Sequence, residues 1–177
     1  MDYKTKATSR RDIRSFAKIL RRLFRVPDTG AFPALNVLEK LGDVFINCNY
    51  VVVDDRAMQL QTMARCTPND VGGFTIEIKQ LVYDGAYENH IGAYLGFICH
   101  EICHVFLFKI GFTPVYERSF ADNTLPAYCS VEWQAKALCG EVMLPYQESI
   151  GMSIGEIVKE YHCSKAFAIC RRRQGRG

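Results

Sequence analysis

The chain has 177 residues, of which 49% are hydrophobic, and carries 22 Lys and Arg against 19 Asp and Glu, a formal net charge of +3. That length and balance fit an ordered globular protein with a real core and exclude a disordered or fibrous chain. There is no run of eighteen or more uncharged apolar residues, and the opening residues are charged without an apolar leader, so the expectation is no membrane span, no secretory signal and a cytoplasmic location.

The first helix is expected from Ser9-Arg10-Arg11-Asp12, which has the form of a capping box. Ile13, Phe16, Ala17, Leu20, Leu23 and Phe24 follow at helical spacing. Arg11, Arg14, Lys18, Arg21 and Arg25 fill the other face, which predicts an amphipathic helix with a basic outside. Val26-Pro27-Asp28-Thr29-Gly30 ends it. A second helix is predicted from near Pro33 to Gly42. Val44–Val53, rich in β-branched and aromatic residues, reads as a strand, and so does Phe74–Tyr83 after Gly72-Gly73. Residues 56–73 between them read as strand or irregular.

One long helix is predicted from about Glu88 to Ile110, stopped by Gly111. Residues 112–129 read as a loop long enough to suggest a functional role. Ser130 is the expected N-cap of a helix from Val131 to Met143, with Pro145 after its end. Ser153-Ile154-Gly155-Glu156 is a second capping box, opening a helix to about Tyr161, and Ser164 is the expected cap of a last helix to about Arg172. That final pair has the outline of a helix-turn-helix.

Charge is uneven along the chain. Residues 1–25 hold nine Lys and Arg against two acids, and the chain closes on Arg171-Arg172-Arg173-Gln174-Gly175-Arg176-Gly177. Such ends could meet nucleic acid or an acidic protein, although a solvated helix face is the commoner explanation. The eight Cys include no Cys-x-x-Cys pair, so zinc ribbons and thioredoxin-like motifs are not expected. Reduced, buried thiols are the expectation. Cys99 and Cys103 flank the chemically richest stretch of the chain and leave thiol ligation or redox sensitivity as a minor reading.

That stretch is Gly96–Phe108, which holds His100-Glu101-Ile102-Cys103-His104 inside an almost wholly apolar run. On a helix His100 and His104 lie one above the other, with Glu101 beside them. Two imidazoles on one face can bind one Zn²⁺, and the adjacent carboxylate can hold the water that zinc acidifies. The bland alternative is a buried, satisfied histidine pair. Without a metal, however, two imidazoles and a carboxylate in apolar surroundings would all be seeking partners.

A catalytic zinc site needs a third protein ligand and an open position. The extended motif that supplies a third His fails here, with Leu107 in place of its Gly and Ile110 in place of its His. The candidates downstream are Glu117, Asp122, Glu132, Glu141, Glu148 and His162. Helical phase favours Glu132, which shares a face with the small apolar Ala135, Cys139 and Val142. Glu141, half a turn out of phase, should point away toward a backbone group or an Arg. Glu132 also has a structural explanation, as a carboxylate favoured in a helix's first turn. Tyr128, His90 and His162 are candidate donors to a developing oxyanion.

His100-Glu101-Ile102-Cys103-His104, followed by Glu132-Trp133-Gln134-Ala135 and the run to Leu144-Pro145, resembles the ImmA/IrrE family of bacterial metallo-endopeptidases. The resemblance covers roughly residues 33–173. It departs from the family at Cys99, Cys103, Lys136 and Leu138-Cys139, none of them a ligand position. It implies zinc ligands His100, His104 and Glu132, one Zn²⁺ per chain and Glu101 as catalytic base. It implies an α+β, zincin-like minimal metallopeptidase fold, with a small antiparallel sheet packed on an active-site helix and helix-turn-helix-like helices at the C-terminal end. The expected organisation is one metallopeptidase domain over 1–177, comprising a basic N-terminal helix (1–30), a zincin-like core (31–148) and a helix-turn-helix-like tail (149–177). Several family members cleave or inactivate a helix-turn-helix repressor, so the implied partner is a repressor of a mobile element or stress regulon. The alternative is a zinc-containing regulator that binds DNA or a repressor without cutting.

Overall fold

The computed structural model describes residues 3–114 and 125–174. Helix α1 (Arg10–Leu23) opens with the expected capping box, Ser9 accepting from the Asp12 amide while Asp12 accepts from the Ser9 amide. It ends with Arg25 in the left-handed region (φ 56°), so that the Val26 amide bonds Arg21 O and the Arg25 amide bonds Arg22 O. The basic outside needs one correction. Arg21 is 1% exposed, and its guanidinium donates to the carbonyls of Pro27, Thr29, Gly30 and Val142. A charge with four carbonyl partners can be buried where an unpaired one could not.

Helices α2 (Ala34–Glu39) and α3 (Leu41–Val44) stand where one helix was expected. The strand predicted from Val44 is shortened to β1 (Asn49–Val53), because Val44 completes α3 and Asn47 turns the chain at φ 62°. Strand β2 (Ala64–Pro68) lies in the stretch read as strand or irregular. Strand β3 (Phe74–Lys79) stops four residues early, and Gln80–Glu88 forms helix α4. The Leu81 amide there is capped from a distance, donating to Asp55 Oδ1 at 3.0 Å.

The sheet order is β1-β3-β2. It is mixed rather than wholly antiparallel: β2 pairs antiparallel with β3 but β1 pairs parallel with it, Val51 opposite Glu77. The turn Asn69–Gly73, held by the Asn69 side chain on the Gly73 amide, makes β2 and β3 a hairpin. The excursion through residues 54–63 then leaves β1 on the far side of β3, where it can only run parallel. Phe74, Ile76 and Ile78 alternate onto the buried face, and Arg65 pairs with its cross-strand neighbour Glu77 at 2.6 Å on the other.

The expected 88–110 helix is broken before it starts. His90 takes φ 49°, and helix α5 runs Gly92–Lys109. Gly111 closes it at φ 87°, with the Phe112 amide on Leu107 O and the Gly111 amide on Phe108 O. Ile98, Ile102 and Phe106 are fully buried, so α5 is the central rod of the core. Helix α6 (Val131–Met143) packs along it, and α7 (Tyr146–Ser149), α8 (Ile154–Tyr161) and α9 (Lys165–Gln174) follow. Ser130 and Ser153 cap their helices as expected. The α8–α9 turn sits against the start of α5, where a Cβ on Gly92 would lie 2.5 Å from the Cys163 carbonyl carbon. The strand-like stretch Tyr3–Thr8 lies against residues 128–131. Among the described residues, no single helix is long and apolar enough to cross a membrane.

Candidate metal centre

From Gly96 to Leu107 every residue of α5 is buried except Phe97, His100 and His104. Helical spacing puts these three on one stripe, and the two imidazoles are the polar opening in an otherwise closed helix. Their side chains are 18% and 17% exposed, and their Nε2 atoms lie 3.1 Å apart with the rings nearly perpendicular at 89°. Glu132, second residue of α6, faces both. One carboxylate oxygen is 3.4 Å from His104 Nε2 and the other 3.5 Å from His100 Nε2.

These separations are a test of fit. Donors about 2.0–2.1 Å from a tetrahedral zinc lie roughly 3.3–3.4 Å from one another. The two imidazole nitrogens, 3.1 Å apart, each lie within 3.5 Å of one oxygen of the same carboxylate, so the three residues stand at spacings that fit such a centre. The Glu132 side chain is 40% exposed, so the cluster is reached by solvent. Three residues offering N, N and O to one divalent ion at a solvent-reached cluster have a geometry consistent with a zinc-dependent hydrolytic site.

The electrostatics agree. Hydrogen bonds from His100 and then His104 hold the Glu132 carboxyl well below the usual carboxylate range. Burial pulls the His100 imidazole down, but the Glu132 hydrogen bond and the charge of Glu101 outweigh it and leave His100 raised. Glu101 is 9% exposed. Burial pushes its carboxyl up against the opposing effects of His100, His104 and the Cys66 amide of β2.

The other candidates separate cleanly. Glu141 turns inward, 4% exposed, onto Arg171 at 3.0 Å and Arg14 at 3.6 Å, as its phase required. Glu148 is exposed on α7 and His162 on the α8–α9 turn. Glu117 and Asp122 lie outside the described residues. His90 and His162 both sit at the start of α5, about two turns or more before His100. Tyr128 is 54% exposed on the turn leading into α6. Cys99 and Cys103 point into the core, where they hydrogen-bond each other and Cys139; burial pushes both thiols well up, and neither joins the metal cluster.

Gln134 and Cys66 carried no signal in the sequence. Gln134 is an ordinary helix residue whose fully buried amide binds two carbonyls distant in the chain or turned back toward it, and Cys66 acts through its backbone.

No protein-family model matches the chain, and no curated protein matches it.

Proposed function

We propose that the protein is a zinc-dependent endopeptidase of the ImmA/IrrE kind, with His100, His104 and Glu132 as zinc ligands and Glu101 as general base. The observation that carries this reading is the cluster of His100, His104 and Glu132, with imidazole nitrogens 3.1 Å apart and each within 3.5 Å of a Glu132 oxygen, and a buried carboxylate next along the helix. When bound, zinc supplies Lewis-acid polarisation of the scissile carbonyl and a water acidified toward about pH 7. Glu101 takes the proton of the attacking water and delivers it to the leaving amine. Its burial suits that task, because a carboxyl raised above its ordinary range holds a transferred proton more readily.

A peptide substrate is supported by the sheet. Strand β2 pairs with β3 on one side only among the described residues, and its Cys66 amide points at Glu101. An extended peptide added along that free edge would pass beside the base. The partner favoured by the family resemblance is a helix-turn-helix repressor, and the expected setting is the cytoplasm. Arg21 and Arg171, two of the cations counted toward a nucleic-acid surface, are buried at 1% and 3% exposure, which favours a peptidase over a DNA-binding regulator.

The test is cleavage of helix-turn-helix repressors from the protein's own source by the zinc-loaded chain, read by mass spectrometry beside the Glu101→Gln variant. That variant should keep its zinc and lose at least about a hundredfold in rate. A Glu101→Gln variant that cleaves normally overturns the mechanism.

A further inference from the structure

Glu132 is the one ligand that does not come from α5, and at 40% exposure its own packing does little to fix it. The lower part of α6 is held against α5 by Ala135, Leu138 and Cys139, all buried. The first turn, where Glu132 sits, is held by something else. The Val131 amide, one of the donors that a helix start leaves without an intrahelical partner, bonds Tyr3 O at 3.0 Å. The Thr5 amide bonds Cys129 O at 2.8 Å, the Thr8 amide bonds Tyr128 O at 3.1 Å, and Lys4 bridges Ser130 antiparallel. Gln134, 0% exposed, donates both amide hydrogens, to Lys6 O and to Tyr128 O, each at 2.8 Å.

The same strap is tied to the other ligand helix. Lys6 Nζ stands 4.1 Å over the ring of Phe112, the residue whose amide closes the C-terminal turn of α5. At its far end Thr8 leads directly into Ser9, the cap of α1, which itself packs along α6. Residues 3–8 thus run antiparallel along residues 128–131 at the start of α6, and the Lys6 side chain ties them to the end of α5.

We infer that this strap, locked by Gln134, sets the position of Glu132 against His100 and His104, so that Gln134 is a positioning residue of the metal centre. The inference rests on the metal reading above and adds an element that the ligand motif does not contain. A side chain at 134 that cannot donate two hydrogen bonds leaves the Lys6 and Tyr128 carbonyls to pull the strap and the turn apart. The third ligand then drifts while the two histidines stay.

The test is the zinc affinity of the full-length chain, measured by competition with a chromophoric chelator, for Gln134→Leu and for Thr5→Pro, which removes one strap amide and leaves Gln134 in place. Each should weaken zinc binding about tenfold or more, the scale on which supports of metal ligands act. In a Glu132→Ala background, where the positioned ligand is gone, the same substitutions should change the remaining affinity less than about twofold, because coupled residues are non-additive. Equal losses in both backgrounds mean that the strap stabilises the fold generally, and overturn the inference. So does undiminished affinity in Thr5→Pro, which decides the matter should Gln134→Leu fail to fold. If the unaltered chain binds no zinc, the metal reading falls and this inference with it; a chain that binds zinc and is indifferent to both substitutions overturns this inference alone.

Discussion

Arg171 Nη1 lies 3.0 Å from Glu141 Oε1, with both side chains almost fully buried. The same guanidinium donates to Gly140 O and Leu144 O, the last carbonyls around the end of α6. One arginine of the basic tail therefore caps the helix that carries Glu132 and neutralises its second carboxylate.

Glu141→Gln leaves that guanidinium buried without its counter-charge. It should destabilise the protein by about 3–5 kcal/mol in urea unfolding, while the zinc content of the folded fraction stays unchanged. A Glu141→Gln variant of full stability that lost zinc would make Glu141 the ligand instead of Glu132.

Gly92 is where the tail meets α5. A Cβ there would lie 2.5 Å from the Cys163 carbonyl carbon and 2.7 Å from His162 O, backbone atoms that cannot swing aside. Gly92→Ala should cost about 1–3 kcal/mol in thermal or urea unfolding. Gly155, inside α8 with nothing within 4 Å of its Cβ position, gives the opposite sign, and Gly155→Ala should gain about 0.5–1 kcal/mol. A neutral Gly92→Ala would show that the α8–α9 turn is not seated on α5.

The pH dependence of the metal-stripped protein follows from His100 and Glu132. His100 is raised, so its contribution is complete below its ordinary value of about 6.5 and is lost as pH rises through the raised value. Glu132 is lowered, so its contribution is present above about 4.3 and is lost as pH falls toward the depressed value. Thermal melts in chelator should therefore show the pair's contribution greatest between those values, and Glu132→Gln should flatten the alkaline decline. Zinc binding must displace the proton from His100, so zinc affinity should fall on acidification through the raised value. A zinc affinity constant across that range contradicts the account.

How much was legible in the sequence depends on how local each cause is. His100, Glu101 and His104 were legible because a helix fixes the geometry of residues four apart. Glu132 was legible because its phase set it over Ala135 and Cys139, and the same phase turned Glu141 away to Arg171. The caps at Ser9, Ser130 and Ser153 and the stop at Gly111 are likewise short-range. What was hidden is non-local. Gln80–Tyr83 reads as the end of a strand because the cap of the helix it opens is Asp55, 26 residues upstream of Leu81. The parallel pairing of β1 with β3 depends on where a ten-residue excursion returns the chain. Arg21 reads as a surface cation because the carbonyls that bury it belong to the next loop and to α6. The strap at Tyr3–Thr8 is invisible for the same reason, since its backbone partners lie 120 residues or more away.

Removing the cap of α6 tests whether its first turn matters to the centre. Ser130→Ala deletes the acceptor of the Trp133 amide, 2.8 Å away, and should cost about 1 kcal/mol of stability. A loss of zinc affinity with it, measured by chelator competition, would place that turn in the metal site; stability lost with affinity intact would mean that the turn below Glu132 is rigid without its cap.

The most direct measurement is the zinc content of the purified chain after loosely bound metal has been removed, for the unaltered protein and for His104→Ala, Glu132→Ala and Glu101→Gln. A three-ligand centre predicts about one zinc per chain in the unaltered protein and in Glu101→Gln, with sharply less in the two ligand variants. An unaltered chain that takes up no zinc even on reconstitution, or a His104→Ala variant that holds it undiminished, would contradict the account.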